Sequence, residues 1–173
     1  MAPLTLIYRW KRTLLILAIL FSCVSCDQVS KQLAVEHLAD GEALSFAGDT
    51  LRVQYAENPG AFLGLFDGLP ERARTLLLSY TVAAALVLFF VYLLRDRALS
   101  RSSLIGCALI CGGGFGNLID RFTRSGYVID FLNCGVGSLR TGIFNVADMA
   151  ITGGVIWLIL KSAFGRFLDR PLA

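Results

Sequence analysis

The sequence predicts an all-α membrane protein: four transmembrane helices, a small extracytoplasmic β-hairpin or sheet, and an interfacial loop. Three observations predict it. Hydrophobic residues make up 55% of the 173 positions and charged residues only 17%, too apolar a balance for an ordinary soluble domain. Mean hydropathy is +0.65. The apolar residues also gather into four runs, each near the length that crosses the roughly 30 Å hydrocarbon layer.

The length fits one membrane domain over residues 1–173, with spans at about 10–28, 75–94, 102–120 and 143–164. The first run, Thr13 to Cys26, is short and needs its flanks to complete a span. Leu76 to Leu94 is broken only by Ser79, Tyr80 and Thr81. Ser102 to Ile119 is rich in glycine, and Gly112 and Gly116 stand one helical turn apart, which permits close helix packing. Packing alone accounts for the Gly112, Gly113, Gly114 and Gly116 cluster. The fourth run, Ile143 to Phe164, contains Lys161, placed to snorkel.

Charge then fixes orientation. Arg9, Lys11 and Arg12 precede the first span, and Arg95, Arg97 and Arg101 fill the turn between the second and third. Lys161, Arg166 and Arg170 close the chain, against Asp96 and Asp169 alone. Short basic segments stay in the cytoplasm. Both termini are therefore expected inside, and the loops at about 29–74 and 121–142 outside. The first outer loop alternates apolar and polar residues over Ala43–Phe46 and Leu51–Tyr55 about a Gly48-Asp49 turn, a hairpin pattern. Glu57-Asn58-Pro59-Gly60 is a second turn. Ala61 to Phe66 is too short to span and is expected to dip into the interface. Phe62 and Phe66 make it a possible lid.

Four acids stand at these borders: Asp27, Asp120, Asp130 and Asp148. A carboxylate at a bilayer is costly and is a functional hypothesis by default. Asp27 has Lys31 one turn on, which reads as a modest helix-end pair. Asp120 has Arg121 beside it as a ready ion-pair partner. Both acids are assigned positioning roles. Asp130, in the outer loop, and Asp148, in the second turn of the last span, have apolar neighbours and no nearby cation. If they meet, they titrate as a unit sharing one proton, the state in which one carboxylate activates water and the acid polarises a carbonyl. Asn117 and Asn145 are the expected supports, though singly each reads as a helix cap.

Five blocks carry a resemblance: Asp27-Gln28-Val29-Ser30-Lys31, Asn58-Pro59-Gly60-Ala61-Phe62, Gly116-Asn117-Leu118-Ile119-Asp120-Arg121, Val128-Ile129-Asp130-Phe131 and Phe144-Asn145-Val146-Ala147-Asp148. In this order and layout the chain resembles the lipoprotein signal peptidase family, signal peptidase II. The resemblance implies an aspartyl peptidase of the bacterial inner membrane. Such an enzyme removes the signal peptide from diacylglyceryl-modified prolipoproteins, N-terminal to the lipidated cysteine. It implies Asp130 and Asp148 as catalytic, and Asn58, Gly60, Asn117, Arg121 and Asn145 as groove-lining or supporting residues. It implies no metal or other cofactor, inhibition by globomycin-type cyclic peptides, and a monomer bathed in membrane lipid. Ile129 stands where valine is common in the family, a neutral change. No basic, aromatic-interleaved stretch points to nucleic acid.

Other classes compete. Cys23-Val24-Ser25-Cys26 fits a four-span, quinone-linked thiol oxidoreductase, but only Cys134 is available as an outer partner, so the relay is incomplete. Cys23 after a basic start and an apolar run also mimics a lipoprotein signal peptide. Three further apolar runs argue against that. A small membrane transporter would tend to hold its acids near the midplane.

Overall fold

A computed structural model describes residues 2–39, 41, 43–59, 70–96 and 98–168. Gly60, Phe62 and Phe66, and with them the expected lid, lie outside the described residues. The helices are α1 (Ala2–Leu38), α2 (Glu71–Arg95), α3 (Arg101–Thr123) and α4 (Val146–Leu168). The strands are β1 (Leu44–Phe46), β2 (Leu51–Asn58), β3 (Val128–Val136) and β4 (Leu139–Arg140). Each helix holds a stretch long and apolar enough to cross a membrane: Trp10–Leu38, Thr75–Arg95, Arg101–Thr123 and Val146–Gly165. Their outward faces carry exposed Phe21, Leu88 and Ile159, a surface suited to lipid rather than water.

The first helix is longer than expected. It continues to Leu38 rather than ending near residue 28. No glycine or proline interrupts residues 28–38. Ala34 and Leu38, one turn apart, are buried against Ile129 and Phe131 of β3. Asp27 is thus in the interior of α1 and not at its end.

The third helix is the hub, packing on α1, α2 and α4. Its glycines face different neighbours. A Cβ at Gly112 would lie 2.8 Å from the Cβ of Cys23, and one at Gly116 2.7 Å from Asp27 Oδ2. One at Gly113 would collide with the Ala147 carbonyl, and one at Gly114 with Leu86. The small residues let three helices close in on one. Away from the sheet the core is Ile16, Leu93, Leu104, Cys107 and Cys111. There Arg12 binds the carbonyls of Leu93 (3.1 Å), Leu99 (3.3 Å) and Asp96, stapling α1 to the turn between α2 and α3.

The expected hairpin is present as β1 and β2, antiparallel with Leu44 opposite Val53 and Phe46 opposite Leu51. Its turn uses positive φ at Ala47, Gly48 and Asp49. Arg52 and Arg140 close on Asp49, tying this turn to β4. The sheet is larger than the hairpin. Its order is β1-β2-β3-β4, and the segment around Asp130, expected as loop, is strand. A backbone bridge between Leu132 and Phe144 lays the entry to α4 beside β3. That bridge brings the acids of two distant blocks together.

Candidate active site

Strand pairing places the first group. Asp130 lies opposite Ala56 and Asn58 opposite Val128. Residues two apart on a strand share a face, so Asn58 reaches across and donates from Nδ2 to Asp130 Oδ2 at 3.0 Å.

Helix capping places the second. Asn145 precedes α4. Its Oδ1 accepts from the Asp148 backbone N–H at 2.9 Å, and its own N–H donates to Asp148 Oδ2 at 3.2 Å. This reciprocal pair is a capping box. Asp148 is therefore in the first turn of α4, where the helix dipole favours its charge, and not in the second as expected.

One residue then links the two acids. Asn145 Nδ2 donates to Asp130 Oδ1 at 2.7 Å, to Asn117 Oδ1 at 3.0 Å and to the Ile129 carbonyl at 3.2 Å. Asn117 Nδ2 in turn donates to Asp148 Oδ1 at 2.8 Å. The amide directions are not arbitrary. Lys31, which can only donate, takes Asn117 Oδ1 at 2.8 Å, so the Asn117 NH2 turns to Asp148. Side-chain and capping N–H groups thus converge on both carboxylates.

The expected positioning acids behave differently from their sequence reading. Lys31, Asp27 and Asp120 have no exposed side-chain surface, and Lys31 Nζ is 2.8 Å from Asp27 Oδ2 and 2.9 Å from Asp120 Oδ2. With Asn117, three acceptors meet the three ammonium hydrogens. This is a buried triad, not a modest helix-end pair. Among the described residues Asp120 pairs with Lys31 and, at 3.8 Å, with Arg124, and not with Arg121. Adjacent residues on a helix point apart, whereas those four apart meet. Arg121 is half-buried, with Asp130 and Asp148 both in electrostatic range.

The triad also grips backbone. Asp27 Oδ1 accepts from the Ala147 N–H at 2.9 Å, and Asp120 Oδ2 from the Ile129 N–H at 3.1 Å. Ala147 precedes Asp148 and Ile129 precedes Asp130. Asp27 therefore holds the peptide before Asp148, and Asp120 the one before Asp130. Gln28, to which the sequence assigns no role, joins this cluster. Its Nε2 bridges Asp120 Oδ1 (3.0 Å), the Gly116 carbonyl (3.1 Å) and Asp27 Oδ2 (3.3 Å). An amide beside an acid inside an apolar helix was the available signal.

Electrostatics distinguish Asp130. It is 2% exposed, and burial pushes its carboxyl above the usual carboxylate range. The Asn58 hydrogen bond opposes that rise, while the charge of Asp148 adds to it. Asp148 remains partly exposed and borders a groove of about 540 Å³ with Ile143, Phe144, Met149, Thr152 and Gly153. Among the described residues no cluster of three or more His, Cys, Asp or Glu is arranged to hold a metal. All five cysteines are free.

A membrane-embedded aspartic peptidase is the class this fold and site define. The family model described as signal peptidase (SPase) II matches residues 19–164, and the chain belongs to that family. It is 38% identical over 154 residues to a lipoprotein signal peptidase of Moorella thermoacetica, covering 86% of this chain and 93% of that one. It is 37% identical over 136 residues to one of Syntrophus aciditrophicus, covering 78% and 83%. A third, from Mycobacterium avium, is 34% identical over 164 residues, covering 92% and 84%. A solved bacterial membrane enzyme, determined by the in meso method, superposes with TM-score 0.68 at 26% identity, covering 90% of this chain and 94% of that one. The chain is thus a lipoprotein signal peptidase of the aspartic type with four candidate membrane spans.

Proposed function

We propose that Asp130 and Asp148 are the catalytic pair, and that the substrate bond lies just before a diacylglyceryl-modified cysteine of a prolipoprotein. The observation that supports this most strongly is the shared residue: Asn145 donates from its side-chain amide to Asp130 and from its backbone N–H to Asp148, two acids from different elements. Asp130, buried and raised, holds the shared proton. Asp148 takes a proton from water as that water attacks the scissile carbonyl carbon, and Asp130 gives its proton to the carbonyl oxygen. Collapse of the tetrahedral intermediate then breaks the C–N bond, with a proton passing to the leaving nitrogen. Arg121 steadies the negative charge that the pair and the intermediate share. The groove beside Asp148 takes the substrate chain, and Asn58 supports Asp130 through its hydrogen bond.

In this reading the site lies at the outer face of a bacterial cytoplasmic membrane with both termini inside. The basic turn between α2 and α3 and the basic start of α1 support that orientation. The test is cleavage of a lipid-modified prolipoprotein peptide by the purified chain in lipid. Asp130→Asn and Asp148→Asn should each lower the rate by about 100-fold or more. Full cleavage by both variants would remove the pair from the mechanism.

A further inference from the structure

At the end of the bundle away from Asp130 and Asp148, a groove of about 470 Å³ lies between α1 and α3. Its lining combines the apolar Leu14, Ala18 and Leu104 with the cationic Lys11, Arg12 and Arg101. Leu14 is 59% exposed. Lys11 and Arg101 are exposed and make no ion pair among the described residues. Arg12 is fixed by its three carbonyls, with Nε buried and without a hydrogen-bond partner among the described residues. The nearby acid, Asp96, has its carboxylate turned back to the Ala98 N–H at 2.7 Å. The lining is thus cationic at Lys11, Arg12 and Arg101 and hydrocarbon at Leu14, Ala18 and Leu104.

We infer that this groove binds one anionic glycerophospholipid, with its phosphate between Lys11 and Arg101 and an acyl chain along Leu14, Ala18 and Leu104. The charge pattern selects the occupant. A zwitterionic headgroup brings its own cation against three others. A free phosphate leaves the apolar wall unfilled, and an apolar helix of another protein leaves the cations unmatched. The scale also fits, since Lys11 to Ala18 covers about 10 Å of helix, about the upper half of an acyl chain. Basic pockets between helices at a membrane border hold anionic lipid by this combination. The site is separate from the peptidase centre, so its failure and the failure of the catalytic assignment are read independently.

The experiment is native mass spectrometry of the full chain released from detergent and titrated with dioleoylphosphatidylglycerol, dioleoylphosphatidylcholine or glycerol phosphate. The expected result is one phosphatidylglycerol retained with about 25-fold preference over phosphatidylcholine, the factor for two charges at about fivefold each. The K11Q/R101Q variant should lose that preference, and A18W should weaken both lipids by filling the wall. Three results would each overturn the inference: equal binding of both lipids, preference surviving in K11Q/R101Q, or glycerol phosphate binding as tightly as the lipid. A dimer that appears without lipid and is disrupted by A18W would do the same, because a second copy would then fill the groove.

Discussion

At the residue scale, Asp130 and Lys31 make different demands. Burial raises the Asp130 carboxyl above its ordinary 3.8, so folding favours its protonated form relative to the unfolded chain. Its contribution to stability is fully present below about pH 3.8 and is lost as pH rises through the raised value. Thermal unfolding in detergent across that interval should show the loss in the native sequence and its absence in Asp130→Asn. Lys31 is the reverse case. Replacing it by methionine leaves Asp27 and Asp120 buried without their cation. A cost of about 3–5 kcal/mol is expected in the same unfolding assay. The two acids that tether the peptides preceding both proposed catalytic acids lose the cation that fixes them, so cleavage should fall even at temperatures where Lys31→Met remains helical by circular dichroism.

At the element scale, α3 carries the packing. Gly113→Ala drives a methyl into the Ala147 carbonyl at the start of α4, and overpacking of this kind costs about 1–3 kcal/mol. Gly153→Ala meets nothing within 4 Å and should be neutral or slightly stabilising, since alanine outranks glycine in helices by about 1 kcal/mol. Comparing the two melting temperatures separates close packing from helix propensity. The same elements show how far the sequence could be read. Helix runs and the β1–β2 hairpin were legible because their periodicities are local. Strand β3 was not, because Val128, Ile129, Asp130 and Phe131 are all buried, and a strand covered on both faces shows no alternation. Asp130 and Asp148 could be ranked by their apolar neighbours. The partners of Asp120 could not, because the adjacent Arg121 looked nearer in sequence than Lys31 is in space. Asn145 was expected as a support, but the bonds it makes to both acids depend on the Leu132–Phe144 bridge, which no local periodicity shows.

At the scale of the whole molecule, the cysteines test the class. Cys107 and Cys111 are buried in the bundle and Cys23 packs on Gly112, places that suit small apolar side chains. Replacing all five by alanine or serine should leave peptide cleavage within about threefold of the parent, in a direct rate assay, because no thiol enters the proposed chemistry. Loss of activity in a variant that remains folded would revive the redox alternative. The glycine-lined hub has a last consequence. A helix gripped on several faces gives the bundle little room to rock, so this scaffold is ill suited to alternating access. The groove beside Asp148 instead opens along the flank of α4, where Met149, Thr152 and Gly153 are exposed. Under the proposed function, a membrane-anchored substrate would slide in sideways from the bilayer, as through a window, and its lipid tail would never leave the leaflet it arrived in.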